Sequence, residues 1–411
     1  MALSSACSRA EGSRYTNFRN GLVMSKPLAG IKVIEMAGLG PCPFAGMLLA
    51  DLGARVVRVD RPRFNTPLGA CEAERKEVLG RGKESISVDL KNPKSLQMIR
   101  KLIIGSDVLI EGFRPKVMER LGLGPEILLK EKPSLVYGRM TGFGQSGPYS
   151  TRAGHDINYI SLSGALAAIG EKDGPPTIPL NLLGDFGGGG MLLVVGVLAA
   201  LLKARTTSQG EVVDAAMVDG SALMASMIYG FLGQGLWEDK RGVNLLDGGA
   251  PFYSTYKTKD DKYIAVGALE PNFYRDLLVV LGLSEDEDWQ SQYDRSRWPV
   301  MRTKIAKAVG EKTRDEWEII SEGTDSCMTP VLSLREAPVH HSAINREGFV
   351  EIAGITQPAM APRFSGDPDR GAPHTAPMIG ENTEQIIKEL GYAEDDIDSF
   401  LSEKVAYRPG D

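Results

Sequence analysis

A chain of 411 residues, 42% apolar and 24% charged with 47 glycines, has the balance of a folded globular protein of two or three domains. Its four cysteines, Cys7, Cys42, Cys71 and Cys327, lack the spacing of a zinc site or disulfide framework, and no low-complexity tract or internal repeat is visible. The net charge of −6 is unevenly spread: residues 55–120 carry 15 Lys and Arg against 9 Asp and Glu, a surplus of 6 that leaves −12 elsewhere, which suits a local anionic ligand better than nucleic acid.

Residues 1–26 hold Arg and Ser without an apolar stretch, which reads as a targeting or disordered extension, or as a start placed upstream of Met24. From Pro27 the chain alternates short β-branched runs with helical stretches. Residues 31–37 read as a buried strand, 44–53 as a helix, 54–60 and 85–90 as further strands. A helix over 93–106 opens on Asn92 as N-cap with Pro93 in its first turn. Residues 107–113 and 135–140 add two strands, and strands separated by helices mean parallel βαβ units with right-handed crossovers. A ligand then belongs beyond the carboxyl ends of the strands.

The apolar run at 191–202 is too short for a bilayer and reads as part of a buried helix over about 187–203, so no membrane span is expected. A strand at 212–217 leads into another helix. Alternation on either side of Lys259, Asp260 and Asp261 predicts a hairpin. Helical patterns around Trp289, Trp298 and Trp317 follow, and two helices over 382–391 and 395–404 return to the first domain. The expected fold class is α/β: a large Rossmann-like parallel-sheet domain (27–235 and 340–411) with a smaller α+β domain (248–335).

Chemistry-bearing motifs are few. AGLGPCP at 37–43 approaches a dinucleotide fingerprint, but Pro43 stands where the third glycine belongs, which argues against NAD. DFG at 185–187 lacks the catalytic loop of a kinase, and no nucleophile elbow is present. What remains are His155, one of four histidines, and Asp185, followed after Phe186 by four glycines. Each could be a plain structural group, a helix-opening His beside Asp156 or a capping Asp beside close-packed glycines. Together they could move protons next to a carbonyl, with bare glycine N–H groups meeting the developing oxyanion. A thioester α-carbon lies roughly a dozen pKa units above imidazole, a gap on the order of 15–20 kcal/mol, so such donors would be required.

The stretches DLGARVVRVDRP (51–62), EGFRPKVMERLGLGPE (111–126), MTGFGQSGP (140–148), GHDINYISLSG (154–164), NLLGDFGGGG (181–190) and VGALEPNFY (266–274) carry a resemblance over residues 27 to about 365. The chain resembles the racemase branch of the family III CoA-transferase superfamily, which acts on 2-methylacyl-CoA thioesters. The resemblance implies an isomerase in which His155 and Asp185 are the acid/base pair and Glu270, from a partner subunit, orients the imidazole. It implies that CoA is held by Arg61, by Val88, Asp89, Leu90 and Lys91, by Gly112, Phe113 and Arg114, by Arg120, and by Gly154, Asp156, Ile157, Asn158 and Tyr159.

It further implies an interlocked homodimer, acyl-CoA as the substrate partner, no metal and no separate cofactor, and a place in branched-chain lipid metabolism. Met191, Met217, Met224 and Met227 match a methionine surface for acyl chains, although helical spacing suits core methionines equally. Cys42 replaces a commoner glycine. A CoA-transferase with Asp185 as nucleophile is the alternative. The compartment is left open, cytoplasmic or, in a eukaryote, mitochondrial or peroxisomal; the last residues, RPGD, are not a peroxisomal signal.

Overall fold

The computed structural model describes residues 26–62, 73–285, 291–365 and 374–411; the N-terminal extension and Trp289 lie outside them. The first half builds β1 (Lys32–Met36), α1 (Pro41–Asp51), β2 (Arg55–Asp60), β3 (Lys83–Val88), α2 (Pro93–Ile104), β4 (Val108–Glu111) and β5 (Val136–Thr141). Asn92 caps α2 by accepting from the Lys94 N–H at 2.9 Å, as its sequence predicts. Next come α3 (Asp156–Leu162), α4 (Leu192–Thr207), β6 (Val212–Ala216), α5 (Met217–Met224) and α6 (Ser226–Gly233).

Among the described residues these strands form a seven-stranded sheet in the order β12-β3-β2-β1-β4-β5-β6, parallel except for β12 (Ala406–Tyr407), which runs antiparallel to β3. Both faces are covered, which is why its strands read as unbroken apolar runs. Alternate residues serve alternate faces: Val33, Val56, Val108 and Ile110 pack towards α1 and α4. Ile34, Val57 and Leu109 pack on the other side with α2 and with Ile386, Ile387 and Ile397 of the returning C-terminal helices.

A third cluster stands apart. β7 (Tyr253–Lys257), β8 (Tyr263–Gly267) and β9 (Met328–Pro330) make a small antiparallel sheet, covered by α7 (Pro271–Leu281), α8 (Trp298–Val309) and α9 (Arg314–Ser321). Phe252, Leu277, Met301 and Trp317 are its buried centre. The predicted hairpin is therefore present. A second hairpin, β10 (Phe349–Ile352) with β11 (Ile355–Pro358), and the two-residue β12 were not expected, because such short pieces show no alternation to read.

The expected start of the helix at Gly187 and its short apolar length are both corrected. Helical backbone begins at Leu182 with a π-helical segment, Leu182–Met191, and runs straight into α4, giving 26 continuous residues. By length and composition alone that helix could cross a bilayer. It is only partly buried: Val197 and Leu201 face the core, whereas Leu182, Val195 and Leu202 are exposed.

Candidate active site

The carboxyl edge of the sheet gathers the predicted ligand groups. Arg61 follows β2, Asp89 and Lys91 follow β3, and Gly112, Phe113 and Arg114 follow β4, while Gly154 to Tyr159 lie beyond β5. Arg61 sits over the Phe113 ring at 5.9 Å. The loop after β4 is pinned from below. Glu111, buried, accepts from the Phe113 N–H at 2.7 Å and from Arg139 at 2.9 Å, and burial pushes its carboxyl up to about 7.

Part of the basic surplus is structural. Arg55 pairs with Glu84 and Glu389, Arg58 with Asp60 and Glu77, Arg81 with Asp51, and Lys83 with Glu35. Several of these carboxylates lie outside residues 55–120, so counting charge along the chain separated partners that the fold joins. Arg61, Lys91, Arg114 and Arg120 remain exposed with no ion pair among the described residues, and three of them follow strand ends directly. They are among the cations left available to an anion, as is exposed Lys116.

Four predicted contact residues turn inward. Val88 (0% exposed) and Leu90 fill the core beneath β3, while Tyr159 packs edge-on against Phe143 and donates its hydroxyl to the Gly154 carbonyl. These side chains pack inward, which leaves backbone atoms to meet a ligand there. Asp156 is the fourth. At 4% exposure it points away from solvent, and its Oδ2 accepts from the backbone N–H of Gly184 at 2.6 Å and of Asp185 at 2.7 Å. It is a brace between α3 and the π-helix; the residue types alone could not show that its partner lies almost thirty positions away.

His155 opens α3 with the imidazole left out of the cap: the Asn158 side chain accepts from the His155 N–H at 3.0 Å, and the ring is exposed. Asp185 lies in the first π-helical turn and accepts from Asn181 at 3.2 Å. Burial holds its carboxyl above the usual range, the Asn181 hydrogen bond and His155 pull it down, and Asp156 pushes it up. Gly40, in the turn after β1, has φ +69, and a Cβ there would stand 3.4 Å from Asp185 Oδ2. Glycine both satisfies that backbone and keeps the carboxylate uncovered.

The other glycines pack closely, one of the two readings the sequence offered. A Cβ on Gly188 would lie 2.6 Å from the Ser221 nitrogen, on Gly189 2.9 Å from Met217, and on Gly190 2.6 Å from Phe44. These three therefore let the π-helix sink between α1 and α5. Met217 is likewise core at 6% exposure, while Met191, Met224 and Met227 are exposed, with Met224 beside Gly187.

Glu270 caps α7 on the small sheet, exposed, and no hydrogen bond or ion pair joins it to His155 among the described residues. Cys42 is buried in the first turn of α1 beneath Gly112, so it packs under the ligand edge without entering it. One cluster of metal-compatible groups, Glu318, His340 and His341, forms away from these residues. There the Ser342 N–H donates to His340 Nδ1 at 3.3 Å, and Nε2 of the same ring lies 2.6 Å from Glu318.

The family model for CoA-transferase family III matches residues 28–383. The α-methylacyl-CoA racemase of Homo sapiens is 47% identical over 92% of this chain and 97% of its own, and that of Mus musculus 44% over the same shares. The crystal structure of Rv3272 from Mycobacterium tuberculosis superposes with a TM-score of 0.71 at 26% identity, covering 88% of this chain and 99% of that one. With a family model spanning most of its length and relatives near half identical end to end, the chain belongs to CoA-transferase family III.

Proposed function

We propose that this protein is an α-methylacyl-CoA racemase that interconverts (2R)- and (2S)-2-methylacyl-CoA by moving the α-proton through an enolate. In one direction the imidazole of His155 takes the proton, the C–H electron pair passes into the thioester carbonyl, and the Asp185 carboxyl returns a proton to the opposite face. In the other direction the roles exchange. The observation that carries this reading is an exposed imidazole and a half-buried, up-shifted carboxyl braced together by Asp156 at the edge where free cations collect. An aspartate nucleophile for CoA transfer would need no imidazole beside it. Incubating the protein with one enantiomer and resolving the acyl products should give an approach to an even mixture. Unchanged stereochemistry, with CoA passed to a free acid and an adduct on Asp185, would replace this reading by the transferase.

Arg61, Lys91, Arg114 and Arg120 are the groups for the CoA phosphates. Arg61→Ala should weaken binding of CoA about tenfold while leaving the rate at saturation nearly unchanged, since an ionic hydrogen bond contributes roughly 1.5–3 kcal/mol. Calorimetry with CoA, beside kcat and KM, checks this; unchanged affinity removes Arg61 from the set. Exposed Met191, Met224 and Met227 suit an acyl chain of either configuration.

The functional unit is an interlocked homodimer. Exposed Leu182, Val195 and Leu202 on one helix, and α6 without a buried residue, leave an apolar face too extensive for a free monomer. A cleft of about 1420 Å³ opens between residues 169–174, the connection at 238–249 and the small sheet, and could admit a partner chain. Glu270 of the partner subunit would then reach His155. Sedimentation should give twice the 44.4 kDa chain mass at micromolar concentration, and a monomer there would remove both the dimer and the role of Glu270.

A further inference from the structure

Asp156 adjoins the proposed base in sequence, yet its side chain serves the proposed acid. Its Oδ2 accepts two successive N–H groups at 2.6 and 2.7 Å, those of Gly184 and of Asp185 itself. First-turn N–H groups have no partner within their own helix, so the carboxylate caps the π-helix from another element. Oδ1 is buried without a hydrogen-bond partner, so no competing interaction turns the group. The fit is close from the other side too. A Cβ on Gly184 would lie 2.7 Å from Oδ2 and 2.9 Å from Cγ, so only glycine lets the amide approach.

The consequence follows from adjacency. His155 is the N-cap of α3 and Asp156 its first residue, so the orientation of α3 sets both the imidazole and the hold on Asp185. We propose that Asp156 is a positioning residue that fixes the Asp185 carboxyl relative to His155, making one rigid two-base unit from elements distant in sequence. This rests on the two-base reading above and adds what aligns the two bases. A misplacement of about 1 Å in such a unit lowers the rate on the order of 100-fold.

The test separates alignment from general damage. In D₂O the exposed imidazole of His155 exchanges its proton with solvent, so it can wash out the α-hydrogen facing it with retention, unaided by Asp185. In Asp156→Ala, epimerisation from both enantiomers should fall on the order of 100-fold, and so should exchange from the enantiomer whose hydrogen faces Asp185. Exchange with retention from the other enantiomer should stay within a few-fold of wild type. Asp156→Asn, which keeps the shape but loses the charge-assisted acceptor, should show the same asymmetry in smaller degree.

Gly184→Ala, pressing on the same carboxylate, should resemble Asp156→Ala. A parallel fall of all rates, or no fall, overturns the proposal. If none of the three variants folds, Asp156 is holding the core and not aiming Asp185, and the proposal also falls. Wild-type protein that neither exchanges nor epimerises overturns the parent reading first, and this inference with it.

Discussion

His155→Ala and Asp185→Ala should each lower epimerisation by roughly 10²–10⁴-fold, the range expected for removing one positioned acid or base. Circular dichroism should be unchanged, because the imidazole is exposed and outside the α3 cap, and Asp185 is bonded through its side chain only to exposed Asn181. The two losses should not multiply in the double variant, since a two-base reaction stops when either base is absent. The pH profile gives a second check. Burial raises the Asp185 carboxyl, so as pH falls it takes up its proton earlier than an ordinary aspartate would. For the enantiomer from which Asp185 takes the proton, the acid limb of the profile should therefore lie above the usual carboxylate range. Either variant turning over at wild-type rate would remove that residue from the chemistry.

Lys83→Met should destabilise the fold by about 3–5 kcal/mol, the loss expected when a buried ion pair is halved. Lys83 and Glu35 are both fully buried at 2.7 Å, and Lys83 also donates to the Pro43 carbonyl at 2.9 Å. One ammonium thus joins β3, β1 and the first turn of α1, just after the Gly40 turn that borders Asp185. Burial pushes the Glu35 carboxyl up against the pull of Lys83; without the lysine it would be left uncompensated. Gly46 makes room for the pair, since a Cβ there would come 1.7 Å from Glu35 Oε2. Guanidinium unfolding should show a lower midpoint, largely recovered in Glu35→Leu with Lys83→Met, because an apolar pair of similar volume avoids stranding a charge. A midpoint unmoved by Lys83→Met would show that the pair is not holding this corner.

The parallel sheet was legible because its strands are buried on both faces, and runs such as 31–37 and 107–113 can be little else. The hairpin was legible from alternation around Asp260. Site residues were less so. His155 stood out by rarity and Asp185 by its glycines, yet which atoms those glycines pack against, Ser221, Met217 and Phe44, leaves no mark in one sequence. The charge surplus could not be divided for a related reason: Lys83 is 48 positions from Glu35, and Arg55 pairs with Glu389 across most of the chain. Asp156 was placed on the ligand by the resemblance, which says nothing of where its side chain points. A buried carboxylate bonded to distant amides is a fact of tertiary structure. The exposed apolar half of the 182–207 helix was hidden by a pattern apolar all round.

The most direct measurement is α-deuterium incorporation in D₂O with wild-type protein and one enantiomer of a 2-methylacyl-CoA, followed together with stereochemistry from the earliest time points. The account predicts that epimerised product carries deuterium at the α-carbon from the start, its new hydrogen coming from a solvent-equilibrated group on the opposite face. Product that inverts without deuterium, or substrate that neither exchanges nor inverts, would contradict a two-base reaction between His155 and Asp185.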